Sequence, residues 1–106
     1  MNDKFVSPEK PPEGLERELL TILIEECAEV QQRATKMLRF GVNEAQPGQP
    51  YTNAERLSVE VGDLSHLVRR CIDARLLDGV LVLRASEAKR EKLDRFLQSD
   101  TEANHA

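Results

Sequence analysis

Between positions 15 and 40 the apolar residues Leu19, Leu20, Leu23, Cys27, Val30, Ala34, Met37 and Leu38 recur at intervals of three and four. That spacing predicts a helix over 15–40, and Gly41 stands where a left-handed C-cap belongs. The next stretch, GVNEAQPGQPY, holds two Pro and two Gly and has no periodicity, so 41–51 reads as a loop of a length that often carries function. Thr52 and Glu55 are spaced as a capping box, and Leu57, Val61, Leu64, Val68, Cys71 and Ile72 mark the apolar face of a second helix ending near Arg75. After a break at Asp78 and Gly79, the residues Val82, Ala85, Leu93 and Phe96 mark a third helix reaching about Gln98.

The flanks read differently. Residues 1–14 place Pro8, Pro11, Pro12 and Gly14 among charges and form an extended arm, and residues 99–106 form a polar tail. The expected fold is therefore all-α, one domain over 15–98 with a bundle of three main helices. With no Trp, one Tyr and three Phe in 106 residues, its core must be aliphatic and thin. Oligomerisation into a homodimer or a dimer of dimers would complete the bundle. Leu20, Ile24 and Leu38 are the residues expected to meet the partner.

Fifteen basic and nineteen acidic residues give a net charge of -4, and no run of Lys or Arg forms the stripe that a nucleic-acid polymer needs. A phosphorylated ligand should thus be small and should arrive with a cation. Cys27 and Cys71 lack CxxC spacing and fall on apolar faces, as core thiols do. The longest mostly apolar run, 19–24, is too short to span a bilayer or to serve as a signal core, so no membrane contact is expected and the cytoplasm is the expected compartment.

The acids that interrupt these faces carry the chemistry. Advancing about 100° per residue, Glu26 falls between Ile22 and Val30 at the edge of the first apolar face, with Glu29 the next step round. Glu60 lies about 40° from Leu64 and about 20° from Leu67 and Cys71, inside the second face, and Asp63 borders it. Each pair, Glu26/Glu29 and Glu60/Asp63, is spaced i, i+3, so two packed helices would gather four carboxylates in one cleft. Burying unpaired carboxylates together costs several kcal/mol and raises their pKa values. A hard, oxygen-seeking cation such as Mg²⁺ is the natural compensation, with room for more than one ion. Intrahelical ion pairs from Arg33 to Glu29 and from Arg56 to Glu60 are the alternative use of the same charge. Lys89, in the middle of the third apolar arc, would either reach a phosphate or the carboxylates, or snorkel to solvent.

The motif so assembled, Glu25-Glu26-Cys27-Ala28-Glu29 followed by Glu60-Val61-Gly62-Asp63, is EExxE then ExxD. It resembles the all-α nucleoside triphosphate pyrophosphohydrolases, which include MazG-like proteins, dimeric dUTPases and phosphoribosyl-ATP pyrophosphohydrolases. The segments Arg39-Phe40-Gly41, Pro47-Gly48-Gln49-Pro50 and Thr52-Asn53-Ala54-Glu55-Arg56-Leu57 look like the small MazG-like proteins of bacteria and phages, and the likeness covers roughly Leu19 to Leu97.

What the resemblance implies is Mg²⁺-dependent hydrolysis of a (deoxy)nucleoside triphosphate to monophosphate and pyrophosphate, as in house-cleaning of the nucleotide pool, with Mn²⁺ able to substitute. Glu26, Glu29, Glu60 and Asp63 would be the metal ligands, Glu25 a catalytic group orienting water, and Lys36 and Lys89 the cations that face substrate phosphate. Two rivals stay open. Asp63-Leu64-Ser65-His66 resembles a stretch of phosphoribosyl-ATP pyrophosphohydrolase, although the loop does not. A non-catalytic helical module for oligomerisation or regulation could share the same bundle.

Overall fold

The computed structural model describes residues 5, 6 and 10–97, and over these it is all-helical, with three helices and no strand. Half of the expected arm, residues 1–4 and 7–9, and all of the expected tail, 99–106, lie outside the described residues. The helices are α1 (Gly14–Phe40), α2 (Asn53–Asp73) and α3 (Gly79–Phe96). None of them is long and apolar enough to cross a membrane. The chain divides between Leu76 and Leu77 into two units, α1 with α2 and, separately, α3.

Local chemistry sets the helix ends. The Glu55 N–H donates to Thr52 Oγ1 at 3.2 Å and the Thr52 N–H to Glu55 Oε1 at 2.9 Å, so the expected capping box starts α2. Two bonds close α2: the Leu76 N–H reaches Cys71 O at 2.9 Å and the Arg75 N–H reaches Ile72 O at 3.0 Å, with Arg75 at φ 65. This is a Schellman ending in which an arginine occupies the left-handed position usually given to glycine. Gly41 does take a positive φ of 102, yet its ψ of 158 is extended rather than left-handed helical, so the chain leaves α1 directly into the loop. In α3 the Asp78 carboxylate caps the Val80 and Leu81 N–H groups.

Within the first unit, α1 and α2 pack as an antiparallel hairpin. Among the described residues only Leu19, Leu67 and Cys71 are buried apolar side chains, and they lie on the facing stripes. The α1 stripe runs Leu19, Leu23, Glu26, Val30, Ala34 and Met37, each buried or half-buried; Leu20, Arg33 and Lys36 on its borders are half-buried too, and the other residues of 19–37 are exposed. Two expectations are corrected here. Cys27 is exposed, whereas Cys71 is fully buried with its thiol pushed up by burial. Val61 is 48% exposed. In both cases two helices shelter only a narrow seam, and a residue about 100° off that seam meets water.

Among its described residues the second unit holds one helix with no buried residue, so the arc of Val82, Leu93 and Phe96 predicted for α3 is present as helix but not covered. A lone helix has nothing within its own unit against which to bury an apolar face. Its one ion pair among the described residues is Glu87 to Arg90 at 3.5 Å.

The loop 41–52 is tied back rather than loose. Pro47 and Gly48 occupy the corner of a turn closed by the Gln49 N–H on Gln46 O at 3.0 Å, and Gly48 supplies the φ of 81 that this corner requires. Asn53, 1% exposed, donates through Nδ2 to Gly41 O and Glu44 Oε1, both at 2.9 Å. Backbone bonds from Asn53 to Glu44 and from Ala54 to Val42 complete the latch.

Candidate metal centre

The seam between α1 and α2 is interrupted by acids near its middle. Glu26 occupies a stripe position in α1, and Glu60 does so in α2, each half-buried where the pattern of neighbours calls for an apolar side chain. Antiparallel packing brings them together with Asp63, so that one carboxylate oxygen from each of Glu26, Glu60 and Asp63 lies within 4.8 Å of the others.

Both Glu26 Oε2 and Glu60 Oε2 are buried and have no hydrogen-bond partner. The electrostatics record the strain of this gathering. Glu60 is pushed up to about 7, first by a side-chain hydrogen bond with Glu29, then by burial, then by the negative charges of Glu29, Glu26 and Asp63. Glu26 is raised too, chiefly by burial and then by Glu29, Asp63 and Glu25.

These groups fit a hard dication. The donors are all carboxylate oxygens, and their span is comparable to two metal–oxygen bonds, ~4.2 Å for Mg²⁺. Two of the oxygens are buried without a donor, which is costly unless a cation answers them. The expected intrahelical ion pairs do not supply that answer: among the described residues the only ion pair is on α3, and neither Arg33 nor Arg56 pairs with an acid.

The other anticipated residues are placed less centrally. Glu29 stands beside the triad, hydrogen-bonded to Glu60 and exposed to water on its outer side. Glu25 is exposed on α1 and close enough to Glu26 to raise its pKa. The Lys36 ammonium lies 5.8 Å from the Phe40 ring centroid, in a shallow concavity on α1 away from the three acids. Lys89 is exposed on α3, in the second unit.

Two clefts open on the same flank of the hairpin, one on each side of the acids. One, of about 350 Å³, includes Glu26, Asp63, His66 and Arg70; the other, of about 190 Å³, is lined by Arg33, Tyr51, Arg56, Val59 and Glu60. His66, Arg70, Arg33, Arg56 and Tyr51 were not anticipated as site residues. The spacing of Arg33 and Arg56 from the acids was visible, but it pointed to ion pairs within each helix rather than to a shared cleft between helices. A further concavity, about 480 Å³ along Gly14, Arg17, Glu18, Thr21 and Ile22, comes from one helix and gathers no convergent chemistry.

Comparison with protein-family models, with characterised proteins and with solved structures finds no match to this chain.

Proposed function

We propose that this chain is a MazG-like, Mg²⁺-dependent nucleoside triphosphate pyrophosphohydrolase. The observation that carries the reading is the meeting of Glu26, Glu60 and Asp63 with two buried, unpartnered carboxylate oxygens. Glu26, Glu60 and Asp63 would hold the ion, with Glu29 adjoining through Glu60. Mg²⁺ bound there supplies neutralisation of the triphosphate charge and activation of a water for attack.

The chain's own groups do the rest. Glu25, beside Glu26, orients the attacking water and accepts its proton. The new bond joins the water oxygen to the α-phosphorus, the bond from that phosphorus to the bridging oxygen breaks, and pyrophosphate departs with the electron pair. The resemblance would set Lys36 and Lys89 against substrate phosphate, and of these Lys36 lies on α1 away from the three acids. Positioning and charge complementarity suffice for this chemistry, so no nucleophilic serine or cysteine is needed. Exposed Cys27 has no role in it.

A homodimer or dimer of dimers fits the same reading. Ile24 and Leu38, 71% and 91% exposed, sit on the far flank of α1, about 140° and about 180° round from Glu29. A partner covering them would leave the acidic seam open to substrate.

The test is release of pyrophosphate from a panel of canonical and modified dNTPs, with phosphoribosyl-ATP assayed in parallel. Turnover of dNTPs that EDTA abolishes and Mg²⁺ restores is the expected result. Preference for phosphoribosyl-ATP would reassign the substrate, and no release from folded protein would make the chain a non-catalytic module.

A further inference from the structure

Arg33 and Arg56 come from different helices and line one cleft with Glu60, at the end of the acidic seam nearest the loop. Each stands four residues from an acid, Arg33 from Glu29 and Arg56 from Glu60, where a helix ordinarily closes an ion pair. Neither does so. Arg56 is instead held from the other side: its Nη1 donates to Gln46 Oε1 at 2.9 Å. Gln46 in turn is fixed by the turn it closes with Gln49 and by the latch of the loop on Asn53. One guanidinium is therefore positioned by the loop with its remaining N–H donors free of protein partners, and a second, likewise unpaired, shares the cleft.

Two half-buried guanidinium groups without carboxylate partners make an anion site, since their planar forks match phosphate oxygens and a bound anion replaces their lost hydration. At about 190 Å³ the cleft falls below the ~300 Å³ at which pockets for whole drug-sized ligands begin. It suits a fragment such as a phosphoryl chain rather than a complete nucleotide. Its wall on the other side is Glu60, one of the three gathered acids, so an anion seated on the arginines lies beside the metal centre.

We propose that the Arg33–Arg56 cleft is the subsite for the pyrophosphate end of the substrate, an inference that rests on the proposed hydrolase reading for its substrate class. The arginines anchor the departing group, and the loop 41–52, through Gln46, sets the position of one of them. Tyr51, half exposed, lines the same cleft.

Binding of inorganic pyrophosphate, measured by calorimetry with and without Mg²⁺, tests this directly. Arg33→Gln should weaken pyrophosphate binding about tenfold, the loss of one charge-assisted contact pair. It should leave the circular dichroism unchanged, because the Arg33 side chain makes no hydrogen bond or ion pair with the rest of the protein. Arg56→Gln should weaken binding similarly, and Gln46→Ala by a smaller factor through Arg56. Arg69→Gln, which removes the same charge from an exposed position on the far face of α2, should bind as wild type. Pyrophosphate affinity unchanged in Arg33→Gln, or equally reduced in Arg69→Gln, would overturn the subsite, as would wild-type protein that binds no pyrophosphate even with Mg²⁺. Arginine-dependent pyrophosphate binding in a protein that binds no Mg²⁺ and turns over no dNTP would uphold the subsite and remove the hydrolase reading alone.

Discussion

Glu29 of α1 and Glu60 of α2 meet acid to acid, and the hydrogen bond between their side chains is the largest cause that lifts Glu60 to about 7. Two carboxyls can share a hydrogen bond only if one keeps a proton. The seam is thus built to hold either a proton or a metal ion.

The first prediction follows from the sign of that shift. Glu60 rises from an ordinary 4.5 to about 7, so between these values the folded state binds more protons than the unfolded one. Stability of the metal-free protein should therefore fall as pH climbs through this window, the cost being absent below about 4.5 and complete above about 7. Thermal melts in EDTA at pH 5 and pH 8 measure it. Glu60→Gln should flatten the difference relative to wild type, and Mg²⁺ should raise the wild-type melting temperature most at pH 8, where no proton competes. An identical pH dependence in wild type and the Gln variant would take Glu60 out of the coupled seam.

Glu60→Gln should also abolish Mg²⁺-dependent hydrolysis while the far-UV circular dichroism stays that of the helical hairpin. The substitution removes a charge and a metal ligand but almost no volume, and Glu60 Oε2 has no protein partner to lose. Activity near wild type in this variant would remove the residue from the site.

The helix limits were open to sequence reasoning because they depend on neighbours in the chain: the Thr52–Glu55 capping box and the break at Asp78 are local events. Glu60 stood out for the same reason, since its misfit with Leu64, Leu67 and Cys71 is a property of one helix. Cys27 and Val61 were misplaced because periodicity gives the direction of an apolar face but not the width of the partner that covers it. Arg33, Arg56 and Gln46 were the least legible. Whether a guanidinium turns along its own helix or across to a loop is decided by tertiary packing, and here Gln46 holds Arg56 away from Glu60.

Asn53 offers a test of the loop. Its side chain is buried and donates to both Gly41 O and Glu44 Oε1, so Asn53→Leu leaves a carbonyl and a carboxylate without donors. A loss of about 1–3 kcal/mol is expected from stranding such groups. Urea unfolding gives the magnitude, and hydrogen exchange should show faster exchange at Asn53 and Ala54, whose N–H groups hold the loop. Wild-type stability would mean that the latch is redundant.

Lys89 is exposed on α3, and its apolar neighbours there are uncovered. If it supplies charge to the phosphates, Lys89→Met should lower kcat by more than it changes the melting temperature, because methionine keeps the apolar stem while losing the ammonium. Unchanged turnover would assign the lysine to solvent.

The last prediction concerns assembly. A hairpin whose buried apolar side chains are Leu19, Leu67 and Cys71 has a slight core, while Ile24 and Leu38 expose 71% and 91% of their surface along one line of α1. Such a line is costly to leave in water, at about 25 cal/mol per Å² of apolar area, and a second copy offers the same line in return. The flank that carries Glu29, Arg33 and the two clefts lies on the opposite side of α1, so association there would stiffen the hairpin without covering the acids. Light scattering at micromolar concentration should give a mass at least twice the 12.0 kDa of one chain. Ile24→Glu with Leu38→Glu should shift that mass toward the monomer and lower the melting temperature, since two charges would then face each other across the contact. If instead the wild type scatters as a monomer while hydrolysing dNTPs, the exposed line has another use and one chain alone must build the site.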